Sequence, residues 1–230
     1  MKKGFTLIEL IIVLAIIAVL VAILIAVLKP GQMFARLRDT QRTADLNTIS
    51  KAIDVYLTDL AQNPSAIAMT ASGTVVRAVD SATTYALSGL LNGCIEGATP
   101  TIFYSAQDTG SATSTPIAGA GGNFTAIRAT SSRLVDGTGW VPIPFNSSGI
   151  INLTALPIDP RNAKTITEAP SYYYTYACKN DFSYELDARL EINTSTALNS
   201  NDGGDIDFLY EVGSNKKLLP NATSALFYPY

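Results

Sequence analysis

The chain has no histidine, two cysteines and one tryptophan, and only 15% of its 230 residues are charged. The missing histidine removes the commonest general base, the usual partner of a nucleophilic triad and the commonest zinc ligand. The formal net charge is −3 and no basic tract exists, so the bulk of the chain is not expected to bind nucleic acid through phosphates. Asp108-Thr109-Gly110-Ser111 matches a short aspartic-protease string, but it occurs once. That chemistry needs two aspartates sharing a proton. Gly119–Gly122 lacks the Lys-Ser/Thr of a phosphate loop. No enzymatic role is expected. Cys94 and Cys178 fit one disulfide in an oxidising compartment, with two separate buried thiols as the other reading. A bond between them would close a loop of roughly 85 residues and stabilise the domain by about 4–5 kcal/mol.

What the chain does have is one long apolar run. Leu10–Leu28 contains no charged or polar residue, and Phe5, Leu7 and Ile8 extend it. A membrane span needs about 20 such residues. A secretory signal peptide should end at small residues, whereas this run ends in Leu28-Lys29-Pro30-Gly31. Neither a signal peptide nor a plain anchor explains Glu9, a carboxylate set at the head of the run. An acid in hydrocarbon is a functional position that needs a partner. Lys2 and Lys3 could serve by snorkelling.

The string Lys2-Lys3-Gly4-Phe5-Thr6-Leu7-Ile8-Glu9-Leu10 closely resembles the class III leader and start of type IV pilins and pseudopilins. The resemblance implies a peptidase cut after Gly4, methylation of Phe5 as the new first residue, and Glu9 as the acidic fifth residue of the mature chain. It also implies that Glu9 pairs with the Phe5 amine of a neighbouring copy in an apolar filament core. Such a pair sets register better than it adds stability. The charges that follow the run, Lys29, Arg36, Arg38 and Arg42, leave topology ambiguous, and the resemblance places the N-terminus in the cytoplasm.

Beyond Pro30-Gly31, Leu46, Ile49, Ile53, Tyr56 or Leu57, and Leu60 recur at helical steps, with Arg42, Asp45, Lys51, Asp54 and Asp59 at other positions. Asn63-Pro64 stops the pattern. The expectation is one helix from Phe5 to about Ala61, about 85 Å long, kinked or locally unwound at Pro30 and Gly31. Arg38, Asp39 and Arg42 are spaced for within-helix pairs or for bridges to neighbouring subunits.

In the rest, Thr74–Val79 reads as a short strand, Ser81–Leu91 as a short helix and Ser105–Gly122 as a surface loop. Tyr172–Cys178 is β-rich, and Phe182 to Ile192 alternate apolar and polar residues as a half-buried strand would. Lys179-Asn180-Asp181 makes the hairpin turn between them, and Phe208, Tyr210 and Val212 give another strand. The fold class is α+β: the type IV pilin fold, a long N-terminal helix packed on an antiparallel β-sheet. Asp136–Pro142 and Leu156–Pro160 look like the strings between helix and sheet in some pseudopilins and bacterial pilins. The chain divides into a leader (1–4), a filament-core helix (5–29), the amphipathic half-helix (30–61), a variable region (62–135) and the sheet with its C-terminal loops (136–230).

Asn199, Asn201, Asp202, Asp205 and Asp207 bunch oxygen donors around Gly203-Gly204. Major pseudopilins have a calcium loop in a similar place, so the resemblance implies calcium there. A polar loop between strands accounts for the same residues. The function implied is a structural pilin: a precursor in the inner membrane, cut by prepilin peptidase and passed by the inner-membrane assembly platform into a filament of its own copies. The alternatives are a pseudopilin of a type II secretion system, whose fibre is periplasmic, and an adhesive or DNA-uptake pilin.

Overall fold

The computed structural model describes residues 4–63, 67–69, 75–78, 84–86, 101–106, 115–119, 122–128, 133–162, 172–179, 181–192 and 198–219. The N-terminal region is two helices, not one: α1 (Leu7–Leu28) and α2 (Pro30–Gln62). The break falls on Lys29, whose φ of 43° and ψ of 64° lie in the left-handed region. A residue before proline is pushed away from helical geometry, and proline itself is at ease as the first helical residue. Lys29 therefore closes α1, its N–H reaching the Ile25 carbonyl at 3.3 Å, and Pro30 opens α2. Gly31 is an ordinary helical residue with open space around it.

The two helices differ in how they are covered. No residue with a described side chain in α1 is buried. In α2, Leu46, Ile49, Ile53, Tyr56 and Leu60 are buried at alternating steps of three and four, the stripe that a helix turns toward a single surface. Tyr56 takes the inner position and Leu57 its flank. The stripe continues upward through Asp39 and Arg42, which are also buried. Arg42 is thus a correction to the sequence expectation, which set it on another face.

Nine strands follow among the described residues: β1 (Ile67–Met69), β2 (Val75–Ala78), β3 (Thr84–Ala86), β4 (Thr101–Tyr104), β5 (Thr115–Gly119), β6 (Gly122–Arg128), β7 (Tyr174–Cys178), β8 (Tyr184–Arg189) and β9 (Leu209–Gly213). The first three make a small antiparallel sheet. The others form a sheet in the order β5-β6-β4-β7-β8-β9. Its β4-β7-β8-β9 part is antiparallel, which with the long helix gives the α+β arrangement consistent with the pilin fold. The join of β4 to β6 is parallel.

Three local expectations are revised. Thr84–Ala86 is a strand where a helix was expected, in keeping with the strand preference of Thr84 and Tyr85. The expected loop over 105–122 contains β5 and the first residue of β6. There Ile117 pairs with Phe124 in the register of the β5–β6 hairpin. Residues 107–114 and most of the expected 81–91 helix lie outside the described part. Finally, β8 is buried on both faces rather than one.

That double burial arises because the sheet carries two cores. On its inner face Tyr174, Tyr176, Tyr184, Leu186 and Ala188 meet the α2 stripe, with Trp140, Val141, Ile143, Phe145 and Leu156 filling the gap. On its outer face Ile102, Tyr104, Tyr173 and Leu209 meet Ile206 and Leu219 of the C-terminal segment. The polar residues of β8 that alternation would send to water are therefore roofed by residues 198–219.

Candidate functional site

The first site is the head of α1. Thr6 caps the helix with extended backbone, and its Oγ1 accepts from the Glu9 N–H at 3.3 Å. In return Glu9 Oε2 accepts from the Thr6 N–H at 2.9 Å and from Thr6 Oγ1 at 2.8 Å. This is a capping box, in which a Thr and an acid three residues on satisfy each other's end of the helix. The pattern Thr6-x-x-Glu9 is the sequence signal that could have revealed it, though it was not read as a cap. In the single chain, then, the Glu9 carboxylate is folded back one residue short of Phe5, which is 85% exposed. Gly4, on the other side of the expected cut, has nothing near it. The following Leu7–Ile25 is long and apolar enough to cross a membrane.

The second feature fixes α2 to the sheet. Arg42 donates through Nε and Nη2 to the two oxygens of Asp159, at 2.6 and 2.9 Å, and through Nη1 to Asp39 and Glu191, both at 2.8 Å. Asp39 in turn accepts from the backbone N–H groups of Glu191 and Ile192. Arg38 grips Glu191 with two bonds of 2.6 Å, and Arg161 reaches it at 3.3 Å. The Tyr172 ring lies 4.8 Å from the Arg42 guanidinium carbon and 4.6 Å from that of Arg161. Burial opposes the charged form of Glu191, yet the hydrogen bonds from Arg38 and Arg42 overcome it and hold its carboxyl at about 2. The guanidinium groups of Arg38, Arg42 and Arg161 pair with the carboxylates of Asp39, Asp159 and Glu191, and Arg189 lies 5.9 Å from the Tyr172 ring. The within-helix pair expected for Asp39 and Arg42 exists, but Asp159 and Glu191, 117 and 149 residues away, carry most of the bonds.

The third is on the outer face of the sheet. Side-chain oxygens of Glu185, Asp187 and Glu211 lie within 4.8 Å of one another, and all three residues are fully buried. Strand register puts Asp187 directly across from Glu211 and directly across from Thr175, with Glu185 two residues along β8. Burial first, then mutual repulsion, pushes all three carboxyls well above the usual range.

The loop expected to hold calcium sits beside this group. Asn199 is buried and donates to the Asp207 carbonyl at 2.7 Å. Asp202 accepts from the Gly204 and Glu211 N–H groups at 2.8 and 2.7 Å. Asn201, Asp205 and Asp207 are exposed. Cys178 is buried and disulfide-bonded, whereas Cys94 lies outside the described residues.

No curated protein and no solved structure matches the chain. Residues 1–25 match the family model of the prokaryotic N-terminal methylation motif. The expected cut site, the capped acid and most of the apolar helix thus lie in one recognised segment, and the chain carries the class III prepilin leader of type IV pilins and pseudopilins.

Proposed function

We propose that the chain is the structural subunit of a type IV pilus. It is inserted in the inner membrane as a precursor, cut after Gly4, methylated on Phe5 and polymerised through α1. The observation that carries this reading is the contrast between the two helices. The α2 stripe is covered by its own sheet, while α1 presents apolar side chains all round and buries none of its described ones. A helix apolar on every side must be surrounded by something other than water. Lipid does this for the precursor, and neighbouring copies of α1 would do it in a filament.

Glu9 fits both settings. In the single chain Thr6 satisfies one of its oxygens. In the filament its carboxylate takes the new Phe5 amine of a neighbour, so register is set by a pair that neither copy can make alone. The test is to shear cells making the protein and image the released material, labelled against residues 100–130. Long labelled filaments support the pilus subunit. Processed protein that stays in the envelope without filaments overturns it in favour of a pseudopilin of a secretion machine.

A further inference from the structure

We propose that Glu185, Asp187 and Glu211 bind one hard divalent cation, calcium by size and ligand preference, between the outer face of the sheet and the C-terminal segment. The three side chains are held as ligands are held. Each has one oxygen occupied by a neutral donor: Glu185 Oε2 accepts from the Leu218 and Leu219 N–H groups at 2.6 and 2.7 Å, Asp187 Oδ2 from the Thr175 hydroxyl at 2.7 Å, and Glu211 Oε2 from the Ile206 N–H at 3.0 Å. These bonds orient the carboxylates and leave their other oxygens turned toward each other.

The independent observation is what those inward oxygens lack. Glu185 Oε1 and Glu211 Oε1 are buried, in residues with no exposure, and no N–H or hydroxyl of a described residue donates to them; the side-chain hydrogen bond these two residues make is with each other and needs a proton on one of them. A buried carboxylate oxygen without a donor is costly, and two facing each other are costlier. A cation removes both costs at once. The nearby cation Lys216 does not do so, since its Nζ is bonded to the Asp202 carbonyl. Oxygens within 4.8 Å of one another suit a central ion bound at 2.3–2.6 Å, as calcium is. With neither histidine nor a thiol in the group, the donors are all hard oxygens, which disfavours zinc and copper. Magnesium keeps its waters, and a roofed site suits it less.

The packing around the group has the same purpose. A side chain at Gly204 would put its Cβ 1.9 Å from Glu211 Oε2, so only glycine lets the loop close over that carboxylate. Ile206 before β9 and Leu218 and Leu219 after it donate backbone N–H groups, and the strands below supply the charge. The proposed ligand set is on the sheet, apart from the exposed Asn201, Asp205 and Asp207.

The test is calcium chloride calorimetry and thermal unfolding of the full chain in detergent, after chelation. The expected result is one site per chain and a Tm raised by about 5–10 °C at hundredfold excess over the dissociation constant. Magnesium chloride should bind more weakly. Glu211→Gln should fold without calcium, because an amide removes the repulsion, and should lose the Tm response. Asp187→Asn, to whose amide oxygen Thr175 can still donate, is the second probe. The double variant Asp205→Asn, Asp207→Asn should bind as the parent does. Absence of a calcium heat in the parent overturns the proposal and leaves the three carboxyls sharing protons. Binding lost in the loop variant, or kept in both Glu211→Gln and Asp187→Asn, also overturns it.

Discussion

Replacing Arg42 by alanine tests what holds α2 to the sheet. The side chain has no solvent exposure and serves three carboxylates, of which Asp159 is fully buried and Asp39 and Glu191 nearly so. Removing one member of a buried ion pair costs about 3–5 kcal/mol, chiefly because the partners are left charged without compensation. Here Asp159 loses both of its bonds from Arg42, while Glu191 keeps Arg38, so the upper half of that range is expected. Lysine at the same position keeps the charge but cannot make the paired bonds to Asp159, and should recover about half of the loss. Urea unfolding of the full chain in detergent, followed by the fluorescence of buried Trp140, reads the difference directly.

The pH dependence gives a second reading of the same cluster. The Glu191 carboxyl is held at about 2 against an ordinary 4.5. A depressed pKa means that the unfolded chain binds the proton more readily, so the stabilisation is complete above pH 5 and is lost as pH falls toward 2. For Arg42→Ala this acid loss should shrink but not vanish, since Glu191 loses its bond from Arg42 and keeps both from Arg38. A variant within about 1 kcal/mol of the parent at pH 7, with the same acid profile, would refute the argument that these bonds clamp the helix.

Further consequences concern processing, assembly and the loop at Gly204. Gly4→Ala should leave the leader uncut, read as a precursor mass in the membrane fraction. Glu9→Ala should be cut normally but stay in the membrane, because the register pair and the capping box with Thr6 are both gone. Normal filaments from that variant would sink the role given to Glu9. Gly204→Ala should destabilise the C-terminal segment by about 1–3 kcal/mol through overpacking against Glu211, measured as a lower urea midpoint. The calcium response of the parent chain is the remaining prediction, and it does not depend on whether the filament is a pilus or a secretion fibre.

The sequence by itself determined the N-terminal quarter. An unbroken apolar run and a stripe at helical steps are local signals, because helix geometry links residues only three or four apart. Leu46, Ile49, Ile53, Tyr56 and Leu60 are where that period puts them. The β7–β8 hairpin was legible for the same reason, since alternation and a turn are short-range. Even so, the helix break at Lys29 was placed one residue late, because proline acts on the residue before it.

What only the tertiary structure decided is the fate of charge. Arg42 reads as a surface residue in any helical pattern, and becomes interior only because Asp159 and Glu191 arrive from 117 and 149 positions away. Glu185, Asp187 and Glu211 read as the wet face of two strands, since a period of two tells which side chains share a face but not whether that face is covered. The chain's C-terminal segment folds over them and turns a solvent face into an interior one. Burial of a second sheet face depends on contacts between elements far apart in the chain, and no local pattern encodes it.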